Sequence, residues 1–186
     1  MTWRDKPEWL ALIRRPGLAA LGPGPRSGVW APADIERLVA RDLPEGVVSD
    51  AVQALVLLWN DHHDPSHSIV QNMEQDADGS LVHAILHRRE PDYSNAAYWF
   101  RRVGSHSCFL RLAELVAPLL TREQMQEFLP GGRWSSTAFC TACERVGRSE
   151  ARDSNLGPLL LQFQGLETEA ALDDFWARAV ATGASA

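Results

Sequence analysis

Lysine is almost missing from this chain: Lys6 stands alone among 18 basic residues, and the formal net charge is -6. A general nucleic-acid binder carries a basic excess, because phosphate contacts supply most of its affinity. No nucleic-acid partner is expected. The arginine bias itself carries no functional weight, since genome base composition is enough to produce it. Cysteine is also scarce, at positions 108, 140 and 143. Three is odd and few, which excludes a disulfide scaffold. The lone pair Cys140 and Cys143 lacks a second pair for zinc and a βαβ context for redox chemistry, so it reads as small buried residues on a helix. Long apolar runs are absent as well. The longest, Ala54 to Trp59, is far too short to span a bilayer. The first eight residues are polar and lack an apolar signal core. These absences point to a cytoplasmic protein with no membrane partner. Finally, no alternating strand pattern and no internal repeat can be found.

What is present suits one helical domain over residues 1–186. Hydrophobic residues make up 45% and charged residues 23%, enough for a core and too mixed for a disordered chain. Seven Trp are many for this length, and several are expected inside. A Pro/Gly-rich loop, Pro16 to Pro32, follows a short N-terminal helix. Its glycines do not match a phosphate-binding loop. Helices are expected over Ile35–Leu43, from a Ser49 cap to Trp59, from a Ser80 cap over Leu81–Arg89, and from a Ser94 start over Asn95–Val103. Others are expected over Ser107–Val116, behind a Thr121/Gln124 capping box, over Ser135–Arg148 and over Leu166–Ala181. The expected fold is all-α, a compact bundle of roughly seven or eight helices, with the tail 182–186 frayed.

All six His lie between 62 and 106, with Asp61, Asp64, Glu90, Asp92 and the pairs Arg88-Arg89 and Arg101-Arg102 in the same window. On a helix at about 100° per residue, His87 falls about 40° from His83 and Glu90 about -20°. The three form one polar stripe on an otherwise apolar helix, Leu81 to Arg89, that should be largely buried. Two His at i and i+4 plus a carboxylate suit a divalent metal and leave positions open for water or substrate. The Glu that follows the first His in HExxH metalloproteases is missing here. The same stripe is also compatible with metal-free acid/base groups, or with core histidines bonded to Asp61, Asp64 or backbone carbonyls. His63 and His67 repeat the spacing, but Pro65 argues against a regular helix through them. The Arg pairs offer planar forks for an anion. Their bland alternative is salt bridging, such as Arg89 with Asp92 or Arg101 with Glu114. Tyr93, Tyr98, Trp99 and Phe100 read as core packing or as a pocket wall.

The segment from His83 to His106 resembles the signature HxxxHRREPDxxNAxYWFRRVGxH of a largely uncharacterised family found in bacteria and fungi. Asp64-Pro-Ser-His67 and Gln71 are similar too, with Pro65 where the family tends to have Glu. The likeness covers roughly Leu55 to Phe109. It implies no activity, fold or cofactor. It does imply that His67, His83, His87 and His106 belong to the pattern while His62 and His63 do not. Both Arg pairs and Asn95 fall within it.

The resulting expectation is a small metal-dependent enzyme acting on an anionic small molecule. His83, His87 and Glu90 would hold a divalent ion (Zn, Fe, Mn or Ni), with His67 as fourth ligand or general base. His106 and Asp64 are further acid/base candidates. Arg88, Arg89, Arg101, Arg102, Asn95 and Tyr98 are candidate substrate contacts. The alternatives are a metal-free binding or acid/base domain and a non-enzymatic interaction protein.

Overall fold

The computed structural model describes residues 2–14, 17–24, 26–148 and 156–183. Among these the regular structure is wholly helical: ten α-helices and three short 3-10 turns, with no strand. The all-α expectation holds, with more helices than the seven or eight foreseen. In chain order they are α1 Pro7–Ile13, α2 Pro32–Asp42, α3 Val47–Trp59, α4 His63–Val70 and α5 Ala77–Arg89. They continue with α6 Tyr93–Val103, α7 Cys108–Val116, α8 Arg122–Phe128, α9 Ser136–Arg148 and α10 Leu156–Gly183. No helix among the described residues is long and apolar enough to cross a membrane. Of the tail expected to fray, Thr182 and Gly183 complete α10, and 184–186 lie outside the described residues.

Proline opens four of these helices. Pro7 and Pro32 are first residues, and Pro65 and Pro158 are third residues. A first-turn amide has no intrahelical acceptor, so a ring without N–H loses nothing there. This corrects the reading of Pro65 as a break: α4 runs through it and puts His63 and His67 on one helix. It also explains why α10 begins ten residues before the expected Leu166. Gly165, in the middle of α10, lies where the helix meets its neighbours closely. A Cβ there would stand 3.3 Å from Leu18 and 3.6 Å from Trp59.

Capping corrects two further starts. The Asp76 carboxylate accepts from the amides of Asp78 and Gly79 at 2.9 and 3.0 Å, so α5 begins four residues before the expected Leu81. Ser80 is a buried interior residue of that helix. Gly79 allows the turn to seat against the preceding loop, because a Cβ would come within 2.3 Å of Met73 Cβ. Asp92, rather than Ser94, caps α6 through the Asn95 amide at 3.2 Å. The Thr121/Gln124 box forms as expected, at 2.9 and 3.3 Å.

Helix α5 is the axis of the molecule. Every residue from Asp78 to Arg89 is buried, and the helix packs against α3, α4 and α6. Charged groups pin it at both ends. Arg88 meets Glu167 of α10 at 2.5 and 3.1 Å, with both side chains fully buried. Arg89 donates to Asp61 at 2.6 Å and to the Leu58 carbonyl. At the other end, Asp78 pairs with Arg178 of α10 at 2.6 Å.

Asp61 follows the C-terminus of α3 with φ 65°. The Asp61 amide donates to Leu58 O and the His62 amide to Leu57 O, both at 3.0 Å, which is a Schellman closure. Glycine is the usual residue at that left-handed position. An aspartate is held there by Arg89 on one oxygen and by the Arg26 backbone and side chain, each at 2.9 Å, on the other. Those contacts outweigh the burial that opposes its charge, and the Asp61 carboxyl is held below the usual carboxylate range. The same pairing ties the Pro/Gly-rich strap to the helical body. Further along the strap, Ala19 and Ala20 carbonyls accept from Gln164 at 2.9 and 3.0 Å.

Candidate metal centre

Helices α4 and α5 face each other so that His67, His83 and His87 converge. One ring nitrogen from each lies within 4.8 Å of the other two. His67 Nε2 and His83 Nε2 are 3.1 Å apart. Two nitrogens on one ion, each bonded at roughly 2.0–2.1 Å, lie about 3.0–3.4 Å apart, so this pair already has the separation of two ligands. His83 and His87 stack with centroids 4.7 Å apart, as i and i+4 side chains on one face should. The other face of the site is aromatic: the Trp99 ring of α6 lies 4.1 Å from His83, nearly parallel to it.

Burial decides the protonation of His83 and His87. His83 is 4% exposed. Burial, followed by the neighbouring His87 and His67, pushes its pKa down to about 4. Burial also lowers the His87 pKa, while Glu90 pulls the other way. At neutral pH both rings are neutral and present lone pairs, the form a metal takes.

Glu90 corrects the expected ligand set. Its carboxylate lies on His87 Nδ1 at 3.0 Å and is not one of the three converging donors. A carboxylate in that position fixes the imidazole tautomer, with the proton on Nδ1 and the lone pair on Nε2. Asn95 Nδ2 stands 3.0 Å from that Nε2 and donates to it in this orientation of the amide. Thus Asn95, a proposed substrate contact, does reach the cluster. His83 Nδ1 is buried without a hydrogen-bond partner.

Of the four arginines offered as anion contacts, two are excluded by packing. Arg88 and Arg89 are buried in ion pairs with Glu167 and Asp61. They are structural cations, though Arg89's partner is Asp61 and not Asp92. Arg102 is exposed and lies against the site's aromatic wall, 5.3 Å from the Trp99 ring and 5.9 Å from Tyr98, while donating to Glu74 O at 2.8 Å. Tyr98 is 46% exposed on the same wall. Arg101 is exposed, and the Glu114 expected to pair with it pairs with Arg111.

Asp64 is exposed in the first turn of α4 and stands apart from the cluster. With Asp61, His62, His63, Pro65 and Glu90 it borders a surface hollow of about 440 Å³. His106 is elsewhere too. Its Nε2 donates to Asp78 at 2.8 Å and its Nδ1 accepts from the Cys108 amide at 3.2 Å. Asp174 completes a second group of possible ligands with them. Arg178 already fills that position with positive charge, at 2.6 Å from Asp78 and 2.8 Å from Asp174. The sequence offered Trp99 as core or pocket wall without linking it to the imidazoles, and it missed Asp78, Asp174 and Arg178 altogether. A signal for Trp99 existed in the aromatic run of α6, whereas nothing local links Asp78 to a residue 100 positions away. No protein-family model, no curated protein and no solved structure matches this chain.

Proposed function

We propose that this protein is a metal-dependent enzyme acting on an anionic small molecule. His67, His83 and His87 would hold a divalent ion, with Glu90 fixing His87 from behind. The convergence of three imidazole nitrogens, two of them at ligand separation, carries the reading. A three-imidazole site suits zinc, and imidazole serves iron and nickel as well. Such an ion supplies Lewis acidity toward a substrate oxygen or lowers the pKa of bound water. With the ion on His87 Nε2, the Asn95 amide that now donates there would be released toward the substrate, and Arg102 with Tyr98 forms the exposed edge. Those groups would orient the anion, a role that Arg88 and Arg89 cannot fill from inside their ion pairs.

The test is elemental mass spectrometry on untagged protein purified without chelators, beside a His83→Ala/His87→Ala double variant. The expected result is about one metal per chain, lost in the folded variant. Absence of metal after reconstitution with Fe(II), Zn(II), Mn(II) and Ni(II) would sink the proposal. It would favour a metal-free cluster, in which the His67–His83 and Asn95–His87 contacts are ordinary hydrogen bonds.

A further inference from the structure

A cleft of about 770 Å³ opens between α6, α7 and the turn leading into α9. It shares no lining residue with the imidazole cluster. Its volume falls within the range of small-molecule sites. One part of its wall is apolar: Phe100, Phe109 and Leu110, the last of them 72% exposed. Polar residues line most of the rest of it. Trp134 and Ser136 line it, are 7% and 9% exposed, and have no hydrogen-bond partner for the indole Nε1 or the hydroxyl.

These two orphans need an explanation. The indoles of Trp3, Trp9 and Trp59 donate to Asp173, Asp42 and the Ile13 carbonyl at 2.7, 2.7 and 3.0 Å. A buried donor left unpaired costs about 1–3 kcal/mol. Two of them side by side in one cleft wall are a poor way to build a core and a good way to bind an acceptor. The surrounding charge says which acceptor. The lining contains no carboxylate and one exposed guanidinium, Arg133, that forms no ion pair among the described residues. Ser136 and Thr137, also in the lining, begin the 13-residue α9, where the first amides lack intrahelical acceptors.

We propose that this cleft binds a small amphipathic carboxylate. The head accepts from Trp134 Nε1 and Ser136 Oγ, both shielded from solvent in this structure and uncovered by a small side-chain shift on binding, and faces Arg133 and the start of α9. The apolar body lies along Phe100, Phe109 and Leu110. A single cation and two neutral donors match a monoanion, and the apolar wall excludes a wholly polar one.

The probe is octanoate, with 1-octanol as its neutral counterpart, titrated into nitrogen-15-labelled protein. The indole N–H of Trp134 is assigned through Trp134→Phe, or through its contacts with the Phe139 and Phe163 rings if that variant unfolds. Octanoate should move this signal downfield and saturate at millimolar or lower concentration. Octanol should bind about tenfold or more weakly, and Arg133→Gln and Ser136→Ala should each weaken octanoate about 5- to 10-fold. Arg133 is exposed, so its variant tests the charge without disturbing the core. No movement of the Trp134 signal by about 10 mM octanoate, equal binding of octanol, or unchanged affinity in both variants would overturn the proposal.

Discussion

Replacing Glu167 by Gln isolates the largest electrostatic commitment of this fold. Glu167 and Arg88 are both fully buried, joined by two hydrogen bonds of 2.5 and 3.1 Å. Burial opposes the Arg88 charge, and Glu167 more than offsets it, so the guanidinium pKa is raised. With charge centres about 4 Å apart and an effective dielectric near 20, the attraction is about 4 kcal/mol. Glutamine keeps an oxygen acceptor but no charge. The Phe139 ring, 4.1 Å below the guanidinium, supplies a residual cation–π contact in the variant. The net loss should therefore be about 3–4 kcal/mol, near the lower end of what breaking a buried pair costs. Against a total stability of roughly 5–15 kcal/mol, this is a large fraction. Urea unfolding followed by circular dichroism should show a lower midpoint at unchanged slope, and the melting temperature should fall by about 6–16 °C. The double variant Arg88→Met/Glu167→Leu removes both charges and should recover most of the loss. A Glu167→Gln variant within 1 kcal/mol of the parent would refute the argument. It would mean that water or local rearrangement solvates Arg88, and would reopen it as a ligand contact.

Two further outcomes follow from the imidazole cluster. In metal-stripped protein, the folded His83 pKa of about 4 lies below the unfolded 6.5. The unfolded chain then binds more protons between these values, so stability falls as pH drops through that window, by about 2 kcal/mol from pH 7 to pH 5. Chemical denaturation at the two pH values checks this, and a His83→Gln variant with an unaltered pH slope would contradict it. Glu90→Gln should leave the fold intact, since Glu90 is exposed and its carboxylate bonds to His87 alone among the described residues. It should weaken the metal about 10- to 100-fold, as loss of an orienting carboxylate does. Competition against a chromogenic chelator reads the change directly, and an unaltered affinity would place Glu90 outside the metal's support.

Much of this protein is written in local pattern. The apolar positions of α3 and α5, the Thr121/Gln124 box and the missing strand alternation specify helices, because helix formation depends on neighbours within a few residues. The i and i+4 spacing put His83 and His87 on one face before any fold was known, and the all-round apolarity of α5 foretold its burial. Boundaries were less legible where first-turn proline, at Pro65 and Pro158, resembles a break, and where two aspartates compete with serines to cap. Partner choice was not legible at all. Arg88 and Arg102 are both arginines in adjacent pairs, yet one is sealed against Glu167, 79 residues away, and the other remains at the surface. His87 and Glu90 share a stripe, yet whether that carboxylate binds an ion or supports a ligand depends on where α4 delivers His67. His83 and His106 resemble each other in sequence, and α10 makes them different by bringing Arg178 to the Asp78 beside His106. Residue type and spacing determine which groups share a face. Long-range packing alone determines what each face meets, because the desolvation that sets charge, tautomer and reach comes from elements distant in the chain.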